Sequence, residues 1–138
     1  MKRNLIGTLS LVVLSLMLVS TGASAQAIAK GDVPFAFMVG NKQLPAGSYV
    51  VSTDGQATVV IRSADTGKSI LSLARAESPT NQTPKLVFHH LGNQYLLAEV
   101  WGAEGRAGMI VPTSDLEREL EIASGHSEQR DRVVIALK

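Results

Sequence analysis

The chain has 138 residues, with 13 Lys or Arg against 12 Asp or Glu and no cysteine. Without cysteine there is no disulfide framework and no thiolate metal site. The charges are nearly balanced and form no basic stripe, which removes the main electrostatic support for nucleic-acid binding.

The first residues read as an export signal. Lys2 and Arg3 form a basic start, residues 5–19 (LIGTLSLVVLSLMLV) an apolar run, and Ala23-Ser24-Ala25 an A-x-A cleavage site. The run is about 15 residues, short of the roughly 20 that a spanning helix needs. The expectation is a signal peptide over residues 1–25 and a single β-rich domain over residues 26–138, with no membrane span after cleavage. The compartment expected is the periplasm or the cell exterior. The mature chain then begins at Gln26 and holds 11 basic and 12 acidic residues, a formal charge of −1. A chain of this size buries roughly two thirds of its unfolded surface, enough for a core without disulfides. Asn81-Gln82-Thr83 matches a glycosylation acceptor, a match that would be chance if the protein is bacterial.

Short β-like runs broken by turn residues follow in order. In VPFAFMV (residues 33–39), Phe35, Phe37 and Val39 share one face at period two. Pro34 belongs at a strand start or edge, and Gly40-Asn41 ends the run. Leu44-Pro45-Ala46-Gly47 suits a type I turn with Gly47 left-handed. A second strand is expected at residues 49–52, a third at 57–63 and a fourth at 69–76. Asp54-Gly55 and Asp65-Thr66-Gly67 supply the turns between them. Residues 77–84 form a longer polar connection.

Residues 85–102 (KLVFHHLGNQYLLAEVWG) are the most marked stretch. Gly92-Asn93 between β-rich arms predicts a two-residue hairpin loop. Uniform pairing from that loop sets His90 opposite Tyr95, Phe88 opposite Leu97 and Leu86 opposite Glu99. His89 and Val87 face Leu96 and Ala98 on the other side. Both sides carry apolar residues, so a central hairpin covered on both faces is expected.

Residues 102–108 (GAEGRAG) form a glycine-rich turn before the strand-like MIVP. Ser114 and Glu117 make an S-x-x-E capping box, and Asp115 and Glu117 suit a helix N-terminus. A helix is predicted over residues 115–123, with Leu116, Leu120 and Ala123 as its apolar stripe and Gly125 as its stop. Residues 126–131 are polar, and residues 132–137 (RVVIAL) read as a last strand that joins the sheet.

Few residues carry candidate chemistry. His89 and His90 are strand neighbours that point to opposite faces, so together they cannot grip one metal. The spacing Gly102-x-x-Gly105-x-x-Gly108 lacks the Lys-Ser/Thr ending of a phosphate loop. Neither a G-x-S-x-G elbow nor an H-E-x-x-H helix occurs, and no carboxylate pair stands out. Tyr95, Glu99 and Trp101 are the candidate ligand-binding residues. Two aromatics and a carboxylate on one face could hold a sugar or a peptide, or they could form a core with an acid at its rim. The acidic helix could also offer a docking face to a basic partner.

Taken together, FAFMVGNKQLPAGSYVV, FHHLGNQYLLAEVW, Gly108 and SDLE resemble a family of small exported proteins from acidobacterial-type soil bacteria. The shared pattern falls on Phe35, Phe37, Val39, Gly40, residues 44–47, Tyr49, Val51, Tyr95, Leu97, Trp101 and Ser114. It spans most of the chain after residue 25. The resemblance implies a fold and a compartment, and no assigned activity or site residue.

The fold expected is mainly β, an antiparallel β-sandwich or partly open barrel with one short C-terminal α-helix. Three functions are open. The first is a non-enzymatic envelope or secreted module whose partner is another envelope or secreted protein. The second is a binder of an apolar molecule or sugar through Tyr95, Glu99 and Trp101. The third is a hydrolase without a recognisable motif. No cofactor is expected. A cavity lined by Trp101 would favour the second, and a filled core with an exposed apolar strip the first.

Overall fold

The computed structural model describes residues 26–53, 57–79, 81, 83–102, 106–125 and 131–138. The expected signal peptide, the Asp54-Gly55 turn, Gln82, Gly105 and His126 lie outside the described residues.

Eleven strands and one helix are described, in the order β1 (Gln26–Val33), β2 (Phe37–Val39), β3 (Lys42–Leu44), β4 (Gly47–Thr53), β5 (Thr58–Ser63), β6 (Ser69–Leu73), β7 (Arg75–Glu77), β8 (Lys85–Leu91), β9 (Gln94–Trp101), β10 (Gly108–Ile110), α1 (Asp115–Ser124) and β11 (Asp131–Ala136). They form a four-stranded sheet, β1-β4-β5-β6, and a larger one, β11-β8-β9-β10-β7, with β2 and β3 attached beside β9. One of the two sheets curls into a half-barrel, and the helix is short and C-terminal. The mainly β fold class expected from the sequence is the one observed.

The two sheets meet at two corners. On one side Lys30 N–H donates to Lys138 C=O at 3.0 Å and Lys138 N–H returns the bond to Lys30 at 2.8 Å. On the other side a single residue, Ala74, carries the chain from β6 in one sheet to β7 in the other.

Between the sheets lies one cluster of buried apolar side chains, including Val33, Phe37, Tyr49, Val51, Ile61, Leu86, Phe88, Leu97, Val100 and Met109. Phe37 and Phe88 cross edge-to-face with centroids 5.2 Å apart, and Phe37 meets Tyr49 at the same separation. Each such fully buried side chain contributes about 1.5–3 kcal/mol of transfer free energy. Tyr49 places its hydroxyl within the core and donates it to Pro45 C=O at 2.6 Å, so the buried phenol is satisfied. Burial pushes the Tyr49 phenol above its ordinary value, and the Asp65 carboxylate adds to the effect.

Four sequence expectations change. Residues 33–39 are not one strand: Val33 ends β1, Pro34 interrupts the ladder, and Phe37 begins β2. Phe35, Phe37 and Val39 still all pack on the core. Gly47 is not left-handed; it pairs with Val33 as the first residue of β4. Its missing side chain instead leaves room for Asp65, whose Oδ2 would lie 3.3 Å from a Cβ there. Among the described residues, Gly40, Gly67, Gly92 and Gly125 are the glycines that take positive φ. The run at residues 69–76 breaks at Ala74, where the chain changes sheets. The fourth change is a β-bulge within the central hairpin, and it decides the fate of the candidate site.

Candidate functional site

The hairpin forms where the sequence places it. Gly92 at φ 59° with Asn93 closes a two-residue loop, and only the first of the two has positive φ, as in a type II′ turn. Near the loop the pairing is the expected one: Leu91 with Gln94, His90 with Tyr95, His89 with Leu96 and Phe88 with Leu97. Then the register shifts. Val87 faces Glu99, Leu86 faces Val100 and Lys85 faces Trp101. The bulge inserts one residue into β9 and turns everything after it to the opposite face.

That shift separates the three candidate ligand-binding residues. Tyr95 lies on the core face with Leu97 and Phe88, packed against the central cluster. Its ring is sandwiched, with Phe35 stacked at 3.9 Å and His90 at 4.4 Å. Both faces that a sugar ring would use are covered. Glu99 and Trp101 lie on the other face, with Val87 and His89. Trp101 is 7% exposed and donates its Nε1–H to Glu99 Oε2 at 2.7 Å. The indole lies against Gly108, where a Cβ would collide with the six-membered ring. Glu99 Oε1 accepts from Arg132 Nη2 at 2.9 Å. The indole, the carboxylate and the guanidinium therefore satisfy one another, which is the core-with-rim alternative of the sequence reading.

The two histidines point to opposite faces as strand neighbours must. His90 joins the Tyr95 stack. His89 Nδ1 lies 2.9 Å from Glu117 Oε1, with side chains only 15% and 7% exposed. Glu117 is the one buried charged residue among those described. Its backbone N–H donates to Ser114 Oγ at 3.1 Å, so the expected N-cap is present. Its carboxylate, however, reaches across to the sheet and fastens α1 to β8. The apolar stripe of α1 is rotated accordingly. Leu116 and Leu120 are half-buried, Glu117 is innermost, Ala123 is exposed, and Ile122 is 75% exposed. Among the described residues no three His, Asp or Glu side chains gather as metal ligands.

A small pocket of about 200 Å³ lies beside Tyr95, between Ala36, Phe37, Gln43 and Gln94, and the buried Gln94 Oε1 has no hydrogen-bond partner among the described residues. A cleft of about 420 Å³ lies elsewhere, between β6, the β2–β3 hairpin and the segment that enters α1. Ile70, Leu71 and Leu73 form one wall, Val39 and Pro112 the apolar opposite side, and Lys42 and Asp115 the charged rim. Leu71 and Leu73 are 65% and 69% exposed. They belong to the last strand of the four-stranded sheet, whose outer side has no neighbouring strand among the described residues.

The edge itself can be read atom by atom. Ser63 N–H donates to Lys68 C=O and Ala74 N–H to Ala57 C=O, each at 2.8 Å. Hydrogen bonding alternates along an antiparallel strand. Lys68, Ile70, Ser72 and Ala74 therefore turn their main-chain groups to β5. Ser69, Leu71 and Leu73 turn theirs outward, and Leu73 C=O accepts the neighbouring Ser72 hydroxyl at 3.1 Å. Sequence reasoning saw this run as a strand but missed its role. The available signal was the run SILSL itself, which contains no charge, no proline and no glycine.

No protein-family model, no curated protein and no solved structure matches this chain.

Proposed function

We propose that this protein is an exported, non-enzymatic module that binds another polypeptide along the open edge of β6. The observation that carries the reading is the outward row of main-chain groups at Ser69, Leu71 and Leu73, two of which are exposed leucines. Strand addition to a sheet edge draws affinity from main-chain hydrogen bonds and selectivity from alternate side chains. β6 offers both beside an open cleft.

Export is supported by the basic start, the apolar run and the A-x-A site within residues 1–25. A binding role is supported over catalysis by the commitments of the polar side chains. His89 is engaged by Glu117, His90 by Tyr95, and Glu99 by Trp101 and Arg132. The small-ligand alternative loses its platform, because Tyr95 is sandwiched and Trp101 faces the other way.

Native mass spectrometry of the protein from its host's envelope fraction tests the reading, run beside the double variant Leu71→Lys/Leu73→Lys. The expected result is a chain beginning at Gln26 that carries a bound polypeptide, with the polypeptide lost in the variant. A chain that keeps residues 1–25 would contradict export. A bound small molecule held equally by both proteins would contradict the edge as the binding surface.

A further inference from the structure

We infer that β6 pairs with β6 of a second copy of this chain, antiparallel and centred on Leu71. The inference rests on the reading of β6 as a binding edge and names its partner. Natural sheet edges are protected from self-pairing by charges, prolines, bulges or a covering element. β6 has none of these among the described residues. Its sequence is Ser-Ile-Leu-Ser-Leu, and its five pairs with β5 run without a register shift.

The strand is complementary to itself. Pairing centred on Leu71 sets Leu71 opposite Leu71 of the second copy, Ile70 opposite Ser72 and Ser69 opposite Leu73. Hydrogen-bonded positions of an antiparallel pair must both be outward-turned residues. Ser69, Leu71 and Leu73 meet that condition together in this register. A register centred on Ser72 would instead send Ser69 to Arg75, which already belongs to β7 in the other sheet. On the outer face the two Leu71 side chains meet directly, and each Leu73 lies diagonal to the other copy's Leu71, within side-chain reach. No charge enters the paired run. Along the chain the nearest charges are Lys68 and Arg75, and Arg75 pairs with Glu77 at 3.7 Å; across the cleft stand Lys42 and Asp115, of opposite sign. The interface is isologous, so it closes as a dimer instead of growing into a filament. The two four-stranded sheets become one continuous sheet.

The absence of native cysteine makes the register directly testable. In this pairing two copies of position 71 face each other at about 5.5 Å between Cα atoms. That is within disulfide reach. Two copies of position 69 are separated by about 13 Å along the ladder. That is far beyond it. Leu71→Cys and Ser69→Cys are exposed substitutions that leave the fold intact. With an added oxidant, Leu71→Cys is expected to form a covalent dimer while Ser69→Cys stays monomeric. Sedimentation equilibrium of the unmodified protein should show a monomer–dimer equilibrium, weakened more than about tenfold by Leu71→Lys. Equal cross-linking of the two variants, or a monomer at every concentration, would overturn the self-pairing. If a different polypeptide is still lost from the Leu71→Lys/Leu73→Lys variant in that case, the binding edge stands and its partner is another chain.

Discussion

The four-stranded sheet has two edges, and they are treated in opposite ways. At β1 the reciprocal Lys30–Lys138 bonds continue the ladder, and Leu137, 7% exposed, is buried beside it. Gly31 lies under Leu137, where a Cβ would meet Cδ2 of that leucine. Exposed Lys30 and Asp32 add charge along the same strand. At β6 the main-chain groups are open, the strand is neutral, and the apolar side chains face solvent. One edge is continued by Leu137 and Lys138, and the other has no neighbouring strand among the described residues. The difference teaches that an exposed apolar side chain at a sheet edge has a meaning that one on a helix surface, such as Ile122, lacks.

The largest effects should come from unsealing the closed edge. Leu137→Ala removes a buried side chain of the core and is expected to cost about 3 kcal/mol. That is a fall in Tm of about 10 °C by calorimetry. Leu71→Lys, at the open edge, should change Tm by less than the equivalent of about 0.5 kcal/mol. If the two substitutions cost the same, the edges are not different in the way described.

The fastening of α1 gives the next effect. Glu117→Ala leaves His89 unpartnered in a mostly buried site and is expected to cost about 2 kcal/mol by chemical denaturation. The same substitution at Glu119, which is exposed, should be nearly silent. Gly108→Ala should displace the Trp101 indole, cost about 1–3 kcal/mol, and shift the tryptophan fluorescence.

Tyr49, on β4 beside the closed edge, provides a smaller effect. Its folded-state value is raised above 10.0, so the folded protein holds the phenol proton more tightly than the unfolded chain. The stability this provides is fully present below about pH 10 and is lost as pH rises through the folded value. Tyr49→Phe should remove that alkaline loss and cost about 1 kcal/mol at neutral pH through the bond to Pro45. Denaturation midpoints measured from pH 7 to 11 for both proteins check the sign.

Much of the fold was legible because local chemistry and tertiary context agree. Gly92-Asn93, the Ser114 N-cap and Gly125 each did what their side chains or backbone freedom favour, while the Glu117 carboxylate left the expected capping box for His89. The last strand joined the sheet, pairing Val133 with Phe88 and Ile135 with Leu86. The site was less legible. Period two predicts faces only while the register is uniform, and no residue of LLAEVW announces the bulge that puts Tyr95 and Trp101 on opposite sides. The helix stripe was misread because Glu117 was assigned to the cap alone. Its partner, His89, lies 28 residues away. The edge status of β6 depends on which strands are neighbours, and sequence pattern does not carry that. All three phenylalanines and both tyrosines converge on one core cluster, which no single segment reveals.

Amide hydrogen exchange, read residue by residue in dilute and concentrated solution, tests the contrast between the edges most directly. The account predicts fast exchange at Ser69, Leu71 and Leu73 in dilute protein, slowing as concentration rises, with Lys30 and Lys138 protected throughout. Protection of the three β6 amides in dilute monomer, or fast exchange at Lys30 and Lys138, would contradict it.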